Sequence, residues 1–231
     1  MQESWTNSFD NALININPKL QWFPWVGKDY TNSSKKILIV GESHYDSDDR
    51  DGDLDFKDCI RWYINDNGID RQSDEEQKLI RNITKAIFGI KLSTEKKQMF
   101  WKSVSYHIMV QRILTNIKER PKNEDFANGW KLFFQVINIL KPDFCIFCGV
   151  TAENYNGSYI EFGKQNNFIV ENITSGTSVG NINVRKTFAI NKQGLKTNIL
   201  FIKHPSKYFS WQKWANVIDF EMQGQLRYLI T

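Results

Sequence analysis

The sequence predicts an α/β protein, a three-layer α/β/α sandwich around a mainly parallel central sheet. Two runs, Lys36-Ile37-Leu38-Ile39-Val40 before Gly41 and Phe144-Cys145-Ile146-Phe147-Cys148 before Gly149, are apolar almost throughout, the pattern of strands covered on both faces. Between and beyond them lie segments with apolar residues at helical spacing. Strands alternating with helices build parallel sheets with a helix layer on each face, and ligands then bind beyond the carboxyl ends of the strands. The 231 residues, 41% hydrophobic and 24% charged, fit one domain over 1–231, with residues 1–35 as an extension packing on it.

The extension carries Trp5, Trp22, Phe23, Pro24 and Trp25, and Asp29 to Lys36 reads as a loop before the first strand. Asp46 to Asp58 holds seven aspartates against one Arg and one Lys and reads as an exposed loop. Ser73-Asp74-Glu75-Glu76 predicts a helix start, with Ser73 as N-cap and Glu76 closing a capping box, and the helix runs to about Gly89. Phe100 to Val110 reads as a strand from the alternation of Val104, Tyr106 and Ile108, with a partly helical Met99 through Leu114 as the alternative. Asn123 to Leu140 is a helix with Phe126, Trp130, Phe133, Phe134, Ile137 and Leu140 at helical spacing, stopped by Lys141-Pro142. Asn154 to Lys186, rich in Asn, Gly, Ser and Thr, reads as a long loop with one or two edge strands. The last strand, Asn198 to Lys203, opens into His204-Pro205-Ser206, and Trp211 to Leu229 closes the chain as a helix.

No apolar stretch approaches the roughly 18 residues of a membrane helix, and the first ten residues hold no signal-peptide core, so a soluble, cytoplasmic, monomeric protein is expected. Lys and Arg exceed Asp and Glu by four, 30 against 26, a balance that permits a polyanionic partner without requiring one. Of the three cysteines, Cys145 and Cys148 form a C-x-x-C inside an apolar strand and read as buried packing residues; no fourth thiolate is present to complete an all-cysteine metal site. Each of the three histidines falls in or just after a predicted strand, so His44, His107 and His204 are expected to converge on one sheet edge.

Gly41-Glu42-Ser43-His44-Tyr45 follows the first strand, where Gly41 permits a sharp turn and Glu42, Ser43 and His44 project into the crevice. His204-Pro205-Ser206 has the same placement after the last strand, with Pro205 fixing the turn that aims His204 inward. In this order and spacing the two segments resemble the uracil-DNA glycosylase superfamily, whose members carry G-Q-D-P-Y or G-E-x-P-G after the first strand and H-P-S after the last. Leu140-Lys141-Pro142-Asp143, leading into Phe144–Gly149 and Thr151-Ala152, is similar to a further segment of that superfamily. The resemblance spans roughly residues 36 to 215 by motif order.

The resemblance implies a uracil-DNA glycosylase-like fold and a monofunctional DNA glycosylase, which flips a nucleotide out of DNA and hydrolyses its base–sugar bond. It needs no cofactor and no metal. Glu42 is then the carboxylate that stabilises the oxocarbenium-like transition state or orients water, with Asp46 as its alternate. His204 is the donor to O2 of the departing pyrimidine. Gly41, Ser43, His44, Tyr45, His107 and Ser206 line the base site, Tyr45 standing where the family blocks a thymine methyl group and His107 where a uracil-reading Asn is expected. Lys203, Pro205, Lys207, Tyr208 and Phe209 contact DNA, the two aromatics standing where relatives insert an apolar side chain into the duplex. Arg112, Lys118 and Arg120 read as solvated charges. Ser43 replaces the water-activating Asp of one motif class and His44 the motif proline. Such polar groups at the rim suit a bulky hydroxylated substituent, such as a sugar on a modified cytosine. The expected role is base-excision repair or, as implied by bacterial relatives acting on hypermodified phage DNA, antiviral defence. Two alternatives stand beside it: a catalytically silent nucleic-acid-binding protein of the same fold, and a metal-dependent hydrolase using His44, His107 and His204 with Glu42 or Asp46.

Overall fold

The computed structural model describes residues 4–45, 57–72, 76–149, 156–179, 181–206 and 208–226. Four parallel strands form the centre of the sheet, in the order β4 (Ser105–Ile108), β2 (Ile37–Gly41), β6 (Phe144–Cys148) and β10 (Lys196–Ile202). On one flank β1 (Trp25–Val26) pairs antiparallel with β4. On the other, β9 (Ile182–Ile190) runs antiparallel to β10 and carries β7 (Ile169–Val170) and β8 (Thr174–Val179), both antiparallel to it. The expected parallel character therefore holds for the central strands, while both flanks are antiparallel. Strands joined by a short turn must reverse direction, and β9 reaches β10 through the tight turn in which Asn191 accepts from Leu195.

Helices cover both faces. Ile37, Ile39, Tyr106, Ile108, Ile146, Cys148, Leu200 and Ile202 point toward α2 (Cys59–Ile64), α3 (Lys78–Phe88), α4 (Thr94–Ser103) and α7 (Trp211–Glu221). Leu38, Val40, Cys145, Phe147, Ile199 and Phe201 point toward α1 (Asp10–Leu13), α5 (Asn123–Leu140) and α6 (Asn156–Gln165). This is why β2 and β6 are apolar at every position: each residue is buried on one face or the other. Cys145 and Cys148 consequently face opposite layers and cannot pair. Much of the aromatic content is core, with Trp130 of α5 5.2 Å from Phe147 and 5.1 Å from Tyr159. No helix among the described residues is long and apolar enough to cross a membrane.

The N-terminal segment does more than pack on the domain: β1 is a strand of the sheet, with Trp25 opposite Tyr106. Arg61 on α2, 2% exposed, ties it down by bonding Asp10, Asp58 and the carbonyl of Pro24.

The structure departs from the expected elements at several places: α3 begins at Lys78 after Gln77, not in the Ser73–Glu76 segment, α7 ends at Glu221, not Leu229, and the segment 154–186 carries β7, β8 and the start of β9 where one or two edge strands are expected. Residues 94–103 are helical, so the predicted strand shortens to 105–108. The apolar residues of the helix, Met99, Phe100 and Trp101, are consecutive and give no helical period, and Ser93 caps it by accepting the Lys96 N–H. Residues 156–165, expected in a loop, form α6; it buries only Tyr159 and Gly163, too little apolar surface to leave a periodic signal. The proposed Ser73 cap and the Asp46–Phe56 part of the aspartate-rich segment lie outside the described residues; Glu76 is buried and pairs with Lys97 at 3.3 Å.

Candidate active site at the carboxyl edge of the sheet

The chain leaves β2 for β4 on one side and later crosses to β6 on the other. A ligand crevice in an open α/β sheet lies where the strand order reverses, here outside the carboxyl ends of β2 and β6. Gly41 and Glu42 stand at the first, Gly149 at the second, and His204 beside them after β10.

Gly41 is required by packing: a Cβ there would collide with the Tyr106 hydroxyl and lie 3.0 Å from Cδ1 of Ile108. Beyond it the backbone stays paired, Met109 N–H donating to the Gly41 carbonyl (2.8 Å) and Val110 N–H to that of Glu42 (2.9 Å). Glu42 is thus held at a fixed point. Burial pushes its carboxyl above the usual range, and the Arg120 guanidinium pulls it back.

His204 is held from three sides. Gly149 at φ +93° offers no side chain, and a Cβ there would lie 2.7 Å from Cδ2 of His204. Ser206 N–H donates to the His204 carbonyl (2.8 Å). Asn82 of α3 donates from Nδ2 to the Pro205 carbonyl (2.9 Å), and Pro205 is buried. Burial lowers the His204 pKa and the Arg120 charge lowers it further, so the imidazole is neutral at pH 7.

Arg120 is exposed, as expected of a solvated charge, yet it is a charge common to Glu42 and His204, a proximity the sequence does not show. Arg112 braces the segment that carries it, bonding Asp125 (2.7 Å) and Glu119 (2.7 Å) on either side of Arg120. Asn82 was also missed, although a polar side chain among Ile80, Ile83, Ala86 and Ile87 was a signal that it has a buried partner.

The expected convergence of histidines does not occur. His44, on β3 (His44–Tyr45, paired with β5, Ile113–Leu114), is buried edge-on to Trp22 (5.7 Å) and Tyr63 (6.2 Å), with Nε2 4.0 Å from Cys59 Sγ. It belongs to the α2 side and does not stand on the crevice rim. His107, opposite Val40, faces the α5 side, fully enclosed, with no hydrogen-bond partner at either ring nitrogen. Its burial lowers its pKa to about 4. The imidazoles are separated because His44 lies on β3 of the two-stranded sheet, His107 on β4 facing the α5 side and His204 past the end of β10. Among the described residues no group of three His, Cys, Asp or Glu side chains could hold a metal ion.

Ser43 and Tyr45 are half-buried beside Glu42 and His44. Lys203 donates from Nζ to the Tyr208 carbonyl (2.9 Å), holding Tyr208 at φ +56° with its ring 92% exposed. Phe209, the other residue expected to enter the duplex, instead lies parallel to Trp214 of α7 at 6.1 Å and 4°. An apolar ring gains more from a flat partner within the fold than from solvent, leaving Tyr208 as the exposed aromatic. Asp46, Lys207 and Thr151-Ala152 lie outside the described residues.

No protein-family model matches the chain, and no curated protein matches it.

Proposed function

We propose that this protein is a DNA glycosylase with a uracil-DNA glycosylase-like fold, hydrolysing the N-glycosidic bond of a flipped uracil or modified pyrimidine to leave an abasic site. The observation that carries this reading is the placement of Glu42 just past β2 and of His204 just past β10, packed on Gly149 at the end of β6, where the strand order reverses; burial and the Arg120 charge both lower the His204 pKa. In the reaction the C1′–N bond breaks and its electron pair leaves with the base, so negative charge gathers on O2 and positive charge on the sugar. A neutral imidazole N–H beside O2 stabilises the first without losing its proton. The Glu42 carboxylate stabilises the second and takes the proton of the water that adds to C1′. Arg120 favours the ionised form of Glu42 and the neutral form of His204, the two states the reaction uses.

Of the polar groups expected to meet a bulky, hydroxylated base, His44 is buried and Ser43 is half-buried, while most of the Asp46–Asp58 segment lies outside the described residues. Repair of altered bases and defence against modified phage DNA are both served by this chemistry. Against the metal-hydrolase alternative, His44 packs on the α2 side and His107 on the α5 side, so among the described residues the three histidines form no common ligand set. The deciding experiment incubates the protein with DNAs carrying uracil, 5-hydroxymethylcytosine or glucosylated hydroxymethylcytosine, with and without chelator, and cleaves abasic sites with alkali. Chelator-resistant cleavage of any of the three supports the proposal. Salt-dependent binding without cleavage points to a silent DNA-binding protein.

A further inference from the structure

We propose that the β8–β9 hairpin is an arm that contacts the DNA phosphodiester backbone beside the flipped nucleotide. The inference rests on the glycosylase reading for the position of that nucleotide and on independent observations for the arm.

The first observation is placement. β9 pairs with β10 from Lys196↔Ile190 to Phe201↔Arg185, and the hairpin closes at Val179↔Ile182. Three residues of β9 therefore run past the last paired position, an overhang of roughly 10 Å at about 3.4 Å per residue. Because β10 is parallel to β2, this overhang stands at the edge that bears Glu42 and His204, alongside the turn at 203–206. Glu42 and His204 thus have the hairpin on one flank.

The second is charge. No Asp or Glu lies between Glu171 and Asp219, and all 26 acidic residues of the chain lie outside that interval, which holds seven Lys and Arg. Lys186 spends its charge on Glu221 of α7 at 2.8 Å. Arg185, on the other face of β9, bonds the Ser175 hydroxyl across the hairpin. An arm without carboxylates meets a polyanion with no like-charge repulsion.

The third is donor chemistry. Thr174, Ser175, Ser178, Asn181 and Asn183 are exposed, and among the described residues β8 has a strand partner on one side only. Hydroxyls, amides and backbone N–H groups are the neutral groups that bond phosphate oxygens, and they position a duplex without reading its sequence. An edge strand is ordinarily protected by charged side chains, which here are replaced by uncharged donors.

The test is fluorescence anisotropy of undamaged duplex and single-stranded oligonucleotides across a salt series, with the full chain. Ser178→Glu/Asn183→Glu is expected to weaken binding by about tenfold or more, and Ser178→Lys/Asn183→Lys to tighten it and steepen the salt dependence. The opposite signs separate a charge effect from misfolding, which circular dichroism checks. Equal binding by both variants and the wild type, or wild-type protein that shows no salt-dependent DNA binding, overturns the arm. Variants that behave as expected while the wild type releases no base from any DNA leave the arm standing and remove the glycosylase.

Discussion

His204 packs its imidazole against the bare backbone of Gly149, so closely that a Cβ at 149 would stand 2.7 Å from Cδ2 and 2.8 Å from Cβ of the histidine. The end of β6 thereby sets where the ring after β10 can lie, and Gly149, at φ +93°, occupies a conformation that side chains disfavour. Position and chemistry of the proposed donor are coupled through one missing methyl group.

Gly149→Ala is expected to slow base release by about a hundredfold, the scale of a misplacement near 1 Å in a reacting group. It should also lower stability by about 1–3 kcal/mol through backbone strain. Gly194→Ala is the control, with φ +78° and nothing within 4 Å of the added Cβ: it carries comparable strain without touching His204. Denaturant melts and single-turnover rates on both variants check the point. Equal rate losses would show that strain, not the His204 contact, is responsible.

Glu42→Gln keeps the shape of the side chain and removes its charge. Base release should fall by at least about a hundredfold with DNA affinity nearly unchanged, the signature of an interaction made in the transition state. Wild-type turnover in this variant would move the assignment away from Glu42.

His204→Ala should lose a similar factor. In the wild type the rate should be flat from about pH 7 upward and fall as pH drops, because acid protonates both the Glu42 carboxylate and the imidazole. Arg120→Gln removes the charge that lowers both pKa values, so both rise and the acid limb moves to higher pH. A rate–pH profile measured on Arg120→Gln checks the direction; a limb that stays in place or moves to lower pH contradicts the role given to Arg120.

His107 links the fold to pH. Its folded pKa of about 4 lies below the ordinary value, so above about pH 6.5 both folded and unfolded chains hold it neutral and stability is unaffected. As pH falls from about 6.5 toward 4, the unfolded chain takes up a proton that the folded chain refuses, and stability drops by about 2 kcal/mol between pH 7 and pH 5. His107→Leu should remove that portion. Urea midpoints of both proteins at the two pH values measure it, and an undiminished acid sensitivity in the variant would place the cause elsewhere.

The doubly covered strands at 37–41 and 144–148 were legible because every residue in them must be buried, a demand that leaves no polar position to confuse the pattern. The long amphipathic helix 123–140 was legible for the same kind of reason, and so was the placement of Glu42 and His204 just past strand ends. Residues 94–103 were not, since their apolar residues, Met99, Phe100 and Trp101, are consecutive and show no helical period. Residues 156–165 bury too little to leave a signal. The antiparallel flank of β7, β8 and β9 was hidden in a segment whose polar composition resembles a loop.

By itself, then, the sequence determined which segments lie inside the molecule and which two short motifs stand at strand ends, because burial and turn geometry act on residues close together in the chain. Only the tertiary structure decided which side chains meet. Glu42, Asn82, Arg120, Gly149 and His204 are brought to one edge by the parallel stacking of β2, β6 and β10 and the helices that cover them. His44, on β3 of the separate two-stranded sheet, packs on the α2 side, and His107, on β4, faces the α5 side, because a side chain's surroundings depend on strand pairing and alternation, which the identity of the residue does not encode.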